Sequence, residues 1–201
     1  MQTLALDTYP IHIGPVAESL PLTLEQQPFS QLFVLADENT REHCWPRIAP
    51  ALERYQPILI EIPSGEAHKN LQTCERIWGQ LMAHKATRDA LLLNLGGGVI
   101  GDMGGFAAST FKRGMRFLQI PTTLLSQVDA SIGGKLGIDF RQVKNSIGLF
   151  RNPQAVLVDP AFLDTLSDRE LRSGFAEVIK HSLIADTGQW ESLQQLTDLR
   201  N

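Results

Sequence analysis

Cysteine is scarce in this sequence, and that scarcity excludes two architectures. Cys44 and Cys74 are the only two among 201 residues, with no further Cys or His at zinc-finger spacing. Neither a disulfide framework nor a metal knuckle is expected from them. Long apolar runs are missing too: no window reaches the roughly 18 uninterrupted apolar residues that a membrane span needs. The opening MQTLALDTYPIH lacks the basic region and long apolar stretch of a secretion signal. The expected compartment is therefore the cytoplasm, with no membrane partner. Net charge is small, 18 Lys+Arg against 22 Asp+Glu, which disfavours a nucleic-acid partner. At 43% apolar and 20% charged, the chain can build a sizeable core and is too weakly charged for a disordered tail.

The charge is unevenly spread. Between Lys112 and Arg151 stand seven bases and two acids, Asp129 and Asp139, so this stretch is +5 and the rest −9. A basic island mixed with glycines suits a small anionic ligand bearing phosphate or carboxylate groups. An ordinary solvated surface would give the same count.

Short β-branched apolar runs at 32–35, 58–62, 90–95, 117–120 and 155–158 read as buried parallel strands. Segments 43–55, 71–85 and 101–111 have the length and period of crossover helices. The alternation predicts an α/β fold with a Rossmann-like parallel sheet. The first thirty residues hold Pro10, Pro15, Pro21 and Pro28, and are expected to form an edge hairpin and loops outside the parallel ladder. After Asp159-Pro160 the strand pattern stops. Residues 168–185 read as one amphipathic helix with Leu171, Phe175, Val178 and Ser182 along a stripe. Residues 1–160 are thus expected to form a nucleotide-binding α/β domain, and 161–201 the truncated start of an all-helical domain.

Four segments could carry chemistry. LLLNLGGGVIGD at 91–102 runs an apolar strand into three glycines and a helix start, with Asp102 expected in the first helical turn. Such a turn lets backbone approach a diphosphate and presents free N–H groups to it; packing alone is the alternative. Asp37, at a strand end, is either a ribose-binding acid or a cap. Glu66 and Lys69 follow another strand end, and spacing alone favours a surface ion pair. Residues 120–145 pack Thr122, Thr123, Asp129, a diglycine, Lys135 and Lys144 into a stretch with little apolar stripe, which favours function over core. Glu177, Lys180 and His181 share one helix face at i, i+3 and i+4; a carboxylate with an i+4 histidine could hold metal, but spacing alone favours a solvated face.

Through GGGVIGDMGGFAASTFKRG, IPTTLLSQVDASIGGKLGID, VKNSIG and SGFAEVIKH, the chain resembles the 3-dehydroquinate synthase family of sugar-phosphate cyclases. The resemblance runs from about Asp37 to the end. It implies NAD and a divalent metal, usually zinc with cobalt as an alternative, in a cleft between an α/β and a helical domain, and a cytoplasmic homodimer. It assigns Asp37, Glu66, Lys69, Gly98, Val99, Asp102, Thr122, Thr123, Lys144, Phe162 and Thr165 to NAD, and Glu177 to the metal. Arg113, Asp129, Lys135, Asn145 and Lys180 become the substrate and catalytic set. His181 falls where the family has no ligand. Leu136 replaces the usual Thr, and Val143 the usual Gly.

The implied reaction converts the small anionic sugar phosphate 3-deoxy-D-arabino-heptulosonate 7-phosphate to 3-dehydroquinate and phosphate, a step of aromatic amino acid biosynthesis. The two histidines completing the family's metal site would lie beyond residue 201. The 201 residues alone are accordingly expected to bind NAD weakly, hold zinc poorly and turn over nothing. Alternatives are another sugar-phosphate cyclase, a glycerol-dehydrogenase-like enzyme, or a catalytically incomplete NAD-binding fragment.

Overall fold

Strand order explains where this chain can hold a ligand. The computed structural model describes residues 1–196, 198 and 199. Seven strands, β1 (Gln2–Ala5), β2 (Pro10–Ile13), β3 (Leu32–Asp37), β4 (Ile58–Ile62), β5 (Leu91–Gly96), β6 (Arg116–Pro121) and β9 (Val156–Val158), form one sheet ordered β1-β2-β9-β6-β5-β3-β4. Within this sheet, among the described residues, only the β1–β2 pairing is antiparallel. The central strand β5 is buried along its whole length, as expected of a parallel strand covered on both faces. From β3 the chain moves outward to β4, then returns to β5 on the other side of β3. The crevice beyond the carboxyl ends of β3 and β5 is therefore a topological switch point, where open α/β sheets bind ligands.

Helices cover both faces. Helix α1 (Val16–Glu25) and α3 (Trp45–Leu52) pack Leu20, Leu24, Ile48 and Leu52 against Val34, Leu93 and Leu118. On the other face α4 (Leu71–Ala83) and α5 (Gly98–Thr110) set Ile77, Leu81, Met103 and Ala107 against Phe33, Leu92 and Phe117. Helix α2 (Glu38–His43) follows β3 directly and is separated from α3 by Cys44, so the expected helix at 43–55 is α3 and a 3-10 turn, Glu53–Tyr55, preceded by the last residue of α2.

The N-terminal expectation needs correction. Residues 1–30 do contain the edge hairpin, but β2 joins the parallel ladder through Ile11↔Val156 and Ile13↔Val158, and Val16–Glu25 is a helix with Pro21 inside it. The buried stripe Val16, Leu20 and Leu24 outweighs one lost N–H donor. Asp159 Oδ2 also accepts from Val16 N at 2.8 Å and fixes the helix start. Pro10 opens its strand, a position that tolerates it.

An element unforeseen in the sequence is the antiparallel hairpin β7 (Lys135–Phe140) and β8 (Val143–Phe150). Its tip, Arg141 and Gln142, has φ of 48° and 66°, the positive values of a type I′ turn. Leu136 and Ile138 reach into the core beside α5, while β8 is almost wholly exposed. Helix α5 is thus clasped between sheet and hairpin. A Cβ at Gly104 would stand 2.0 Å from Asn94 Oδ1, and one at Gly105 2.3 Å from Leu136 Cδ2.

Beyond β9, Asp159 accepts from Ala161 N at 2.9 Å, and a 3-10 turn, Pro160–Thr165, leads to α6 (Asp168–Ala185) and α7 (Thr187–Leu193). Phe162 is buried in the α1/α3 core. On α6, Leu171, Gly174 and Ser182 are buried and Phe175 and Val178 half-buried; the large apolar exposure lies at Leu183 and Ile184. Residues 197, 200 and 201 of the expected helical segment lie outside the described residues.

Candidate cofactor and metal site

The cleft at the switch point has a volume of about 650 Å³, ample for a cofactor-sized ligand. Ten of the eleven residues expected at NAD border it: Asp37, Glu66, Lys69, Gly98, Val99, Asp102, Thr122, Thr123, Phe162 and Thr165. Lys144 completes the group from the rim by pairing with Glu66 at 3.0 Å. Asp37 is the cap that the sequence allowed, and it sits where a ligand could reach it. Its Oδ1 accepts from Thr40 N at 2.8 Å as the cap of α2, and it lines the cleft.

Helix α5 begins at Gly98, three residues earlier than its periodicity suggested, with Gly97 as its cap residue. No side chain caps this start, so the first-turn N–H groups remain available to an anion. A Cβ at Gly97 would stand 3.0 Å from Thr123 Cγ2, so a larger residue there would press on Thr123. Asp102 consequently lies in the second turn, not the first.

Its partner is Lys69. The expected surface pair between Glu66 and Lys69 does not form; Lys69 is 4% exposed and its ammonium donates to Asp102 Oδ2 at 2.6 Å and to Asn145 Oδ1 at 2.6 Å. Burial raises the Asp102 carboxyl above its ordinary value, opposed by the Lys69 ammonium and, at longer range, by Lys135. A charged lysine this deep requires such partners.

Asn145 reaches Lys69 because β8 is irregular. Ile138 pairs with Ile147 and Phe140 with Val143, so Asp139 alone faces residues 144–146. The surplus residues bulge, with Asn145 at φ 51° and its N–H held by Asp139 Oδ1 at 2.8 Å. Bulges re-aim side chains in this way. Lys135, at the start of β7, is exposed.

A second cluster lies where α6 packs on the turn that follows β6. The π turn Ser126–Ala130 carries Asp129, and one ligand atom each from Asp129, Glu177 and His181 lie within 4.8 Å of one another. Glu177 Oε2 touches the Lys180 ammonium, whose pKa that contact raises. His181 Nε2 is sealed from solvent and has no hydrogen-bond partner. The donors of this cluster fit a divalent metal.

Arg113 is not brought to this place. It follows the carboxyl end of α5, a helix of 13 residues whose other end forms the cleft, which is roughly 20 Å along the axis. Sequence reasoning missed Ser167 and Glu170, which border the cleft; their S-x-x-E spacing is an N-terminus signal, and Ser167 Oγ accepts from Glu170 N at 3.3 Å. Cys44 lines the cleft but is a buried thiol pushed up to about 11 by desolvation, which keeps it unreactive.

Comparison with known proteins shows the family. The 3-dehydroquinate synthase N-terminal family matches residues 59–173, more than half of the chain. A 3-dehydroquinate synthase of Pseudomonas fluorescens (strain SBW25) is 45% identical over 207 residues, covering 100% of this chain and 57% of that protein. One of Clostridium beijerinckii is 49% identical over 158 residues, 78% of this chain and 45% of that protein. Among solved structures, the 2-epi-5-epi-valiolone synthase ValA of Streptomyces hygroscopicus subsp. jinggangensis 5008, with NAD+ and Zn2+ bound, superposes with a TM-score of 0.80 at 32% identity, over 93% of this chain and 52% of that one. A 2-deoxy-scyllo-inosose synthase has the same fold at 24% identity and a TM-score of 0.82, over 90% of this chain and 52% of that one. The chain spans about half the length of the curated relatives it matches. By that match across residues 59–173, this chain belongs to the 3-dehydroquinate synthase N-terminal family.

Proposed function

We propose that the chain supplies the nucleotide-binding half of a 3-dehydroquinate synthase, a cyclising carbon–oxygen lyase that eliminates phosphate from 3-deoxy-D-arabino-heptulosonate 7-phosphate. One observation carries the reading: positions taken from the family motifs and scattered from 37 to 165 border a single cleft at the switch point. The second, helical domain begins near residue 160. The compartment is the cytoplasm and the assembly a homodimer.

The first turn of α5 and Gly97 take the cofactor diphosphate, while Asp37 and Glu66 meet its hydroxyls. Bound NAD and zinc or cobalt supply reversible hydride transfer and carbonyl polarisation. Lys135 and Asn145 hold the phosphate and carboxylate end of the substrate. Lys180 compensates charge developing on oxygen, and Asp129 orients hydroxyls beside it. The bulged Asn145, sharing Lys69 with Asp102, ties substrate placement to the cofactor cleft. Arg113 lies at the far end of α5; we keep it in the substrate set on the motif alone.

The test is phosphate release from the heptulosonate phosphate without net NADH by the enzyme of full family length. Lys135→Ala is expected to lower turnover at least about a hundredfold while NAD affinity stays within about twofold. Wild-type turnover in this variant would remove Lys135 from the substrate set; net NADH formation would point to a dehydrogenase instead.

A further inference from the structure

We propose that Tyr9 is a positioning residue for Lys135: its hydroxyl holds the diglycine turn from which that lysine departs. The inference rests on the proposed function for the substrate role of Lys135, and on geometry for the role of Tyr9. The motif resemblance begins near Asp37 and the family match covers residues 59–173, so neither gives residues 1–36 a part in the site.

Tyr9 immediately precedes β2 and is 5% exposed, its ring packed in a small core with Ile11, Val156 and Val158 and against Ile132. Its backbone is fixed as well, because Leu6 N donates to Tyr9 O at 3.2 Å and β2 is paired with β9 from Ile11 onward. From this anchored base the phenol oxygen accepts from Gly133 N at 3.1 Å. A buried tyrosine combines an apolar body with one polar tip that needs a partner. Beside it, Thr8 Oγ1 accepts from Asn152 Nδ2 at 2.8 Å. The N-terminal hairpin therefore touches the β7–β8 hairpin at both of its feet, just before Lys135 and just after Phe150.

The turn so held is one that the chain finds hard to order. Gly133 and Gly134 have φ of 91° and 65°, and glycine loses more backbone freedom on folding than any other residue. Ile132 N donates to Asp129 O at 3.0 Å, and Arg151 N donates to Gly134 O at 2.9 Å. Between these two fastenings the Gly133 N–H is held by Tyr9. Gly133 is itself exposed, so water can take the place of the phenol once the hydroxyl is removed, and folding stability suffers little. What is lost is the place of the turn, and with it the point from which Lys135 starts. A misplacement of about 1 Å at a positioning group is enough to cost up to a hundredfold in rate.

Tyr9→Phe is the informative variant, since it keeps the packed ring and removes only the acceptor. In the enzyme of full family length, kcat/KM for phosphate release from the heptulosonate phosphate should fall about tenfold. NAD affinity should stay within about twofold, and the melting temperature within about 2 °C of wild type. In a Lys135→Ala background the same substitution should cost less than about twofold, because a residue that acts through Lys135 has nothing left to position; a general structural loss would multiply in both backgrounds. In the 201-residue chain, Tyr9→Phe should make the Gly133 amide exchange about tenfold faster while the amides of β5 keep their protection. Wild-type kcat/KM in Tyr9→Phe, an equal fall in both backgrounds, or an unchanged Gly133 amide overturns the inference while the proposed function stands. A wild-type enzyme that releases no phosphate overturns the proposed function itself, and the positioning role with it.

Discussion

Helix α5 has two β neighbours, and they hold it by opposite means. On one side the parallel sheet presents β5, buried along its whole length. On the other the β7–β8 hairpin buries Leu136 and Ile138 but leaves Phe150 84% and Val143 58% exposed. The sheet is fixed by apolar area. The hairpin is fixed by one apolar strand and by polar contacts across the cleft rim: Lys69 to Asn145, Lys144 to Glu66, and Asp139 N to Lys69 O at 2.8 Å. The rigid neighbour supplies the cleft floor, and the lightly anchored one carries Lys135, Lys144 and Asn145. Binding surfaces divide in this way when a scaffold must be stiff and the groups that meet a ligand must adjust.

The contrast is open to breaking at four points. Gly104→Ala drives a methyl into Asn94 and Leu35 on the sheet side, and should cost about 2–3 kcal/mol in urea unfolding. Lys69→Met removes the cation buried against Asp102 and should cost about 2 kcal/mol. Hydrogen exchange should then show amides of the hairpin losing protection while those of β5 keep theirs; equal loss in both would mean that hairpin and sheet are one cooperative unit. Gly105→Ala meets the end of the Leu136 side chain, which can turn aside, so about 1 kcal/mol is expected. A cost equal to that of Gly104→Ala would erase the distinction between the two faces.

The smallest effect is electrostatic. Burial raises the Asp102 pKa, so its stabilising contribution is full below the ordinary carboxylate value and is lost as pH rises through the raised one. Wild type should therefore lose melting temperature relative to Asp102→Asn across that window. A gain instead would mean that the pair with Lys69 outweighs the desolvation of the carboxylate.

The sheet side was legible in the sequence because apolar strands and helix periods are local signals. Strand ends, the glycine turn and helix 168–185 followed from them. The hairpin was not legible: its tip is Arg-Gln where a two-residue turn favours Asn-Gly, and its bulge sits on an asparagine whose φ no pattern reveals. Helix α1 was hidden by its prolines. The Lys69–Asp102 pair escaped because 33 positions separate two residues that the sheet brings to one rim, and local spacing offered Glu66 instead. That Asp129 approaches Glu177 and His181 was not legible either, because spacing gives the face of a helix but not the π turn packed beside it. Most of the cleft residues, by contrast, were reached through motif resemblance, not through periodicity.

The turn at Arg141 and Gln142 bears on the order in which the molecule assembles. Two side-chain-bearing residues held left-handed cost about 1–2 kcal/mol each, and an isolated two-stranded ribbon is marginal even with an ideal turn. The ribbon therefore lacks the means to nucleate by itself, and it gains stability only when Leu136 and Ile138 find α5 already seated on the sheet. The expected order of assembly is therefore from floor to rim: the crevice at the switch point is shaped first, and the lysines and asparagine at its rim arrive when the hairpin docks.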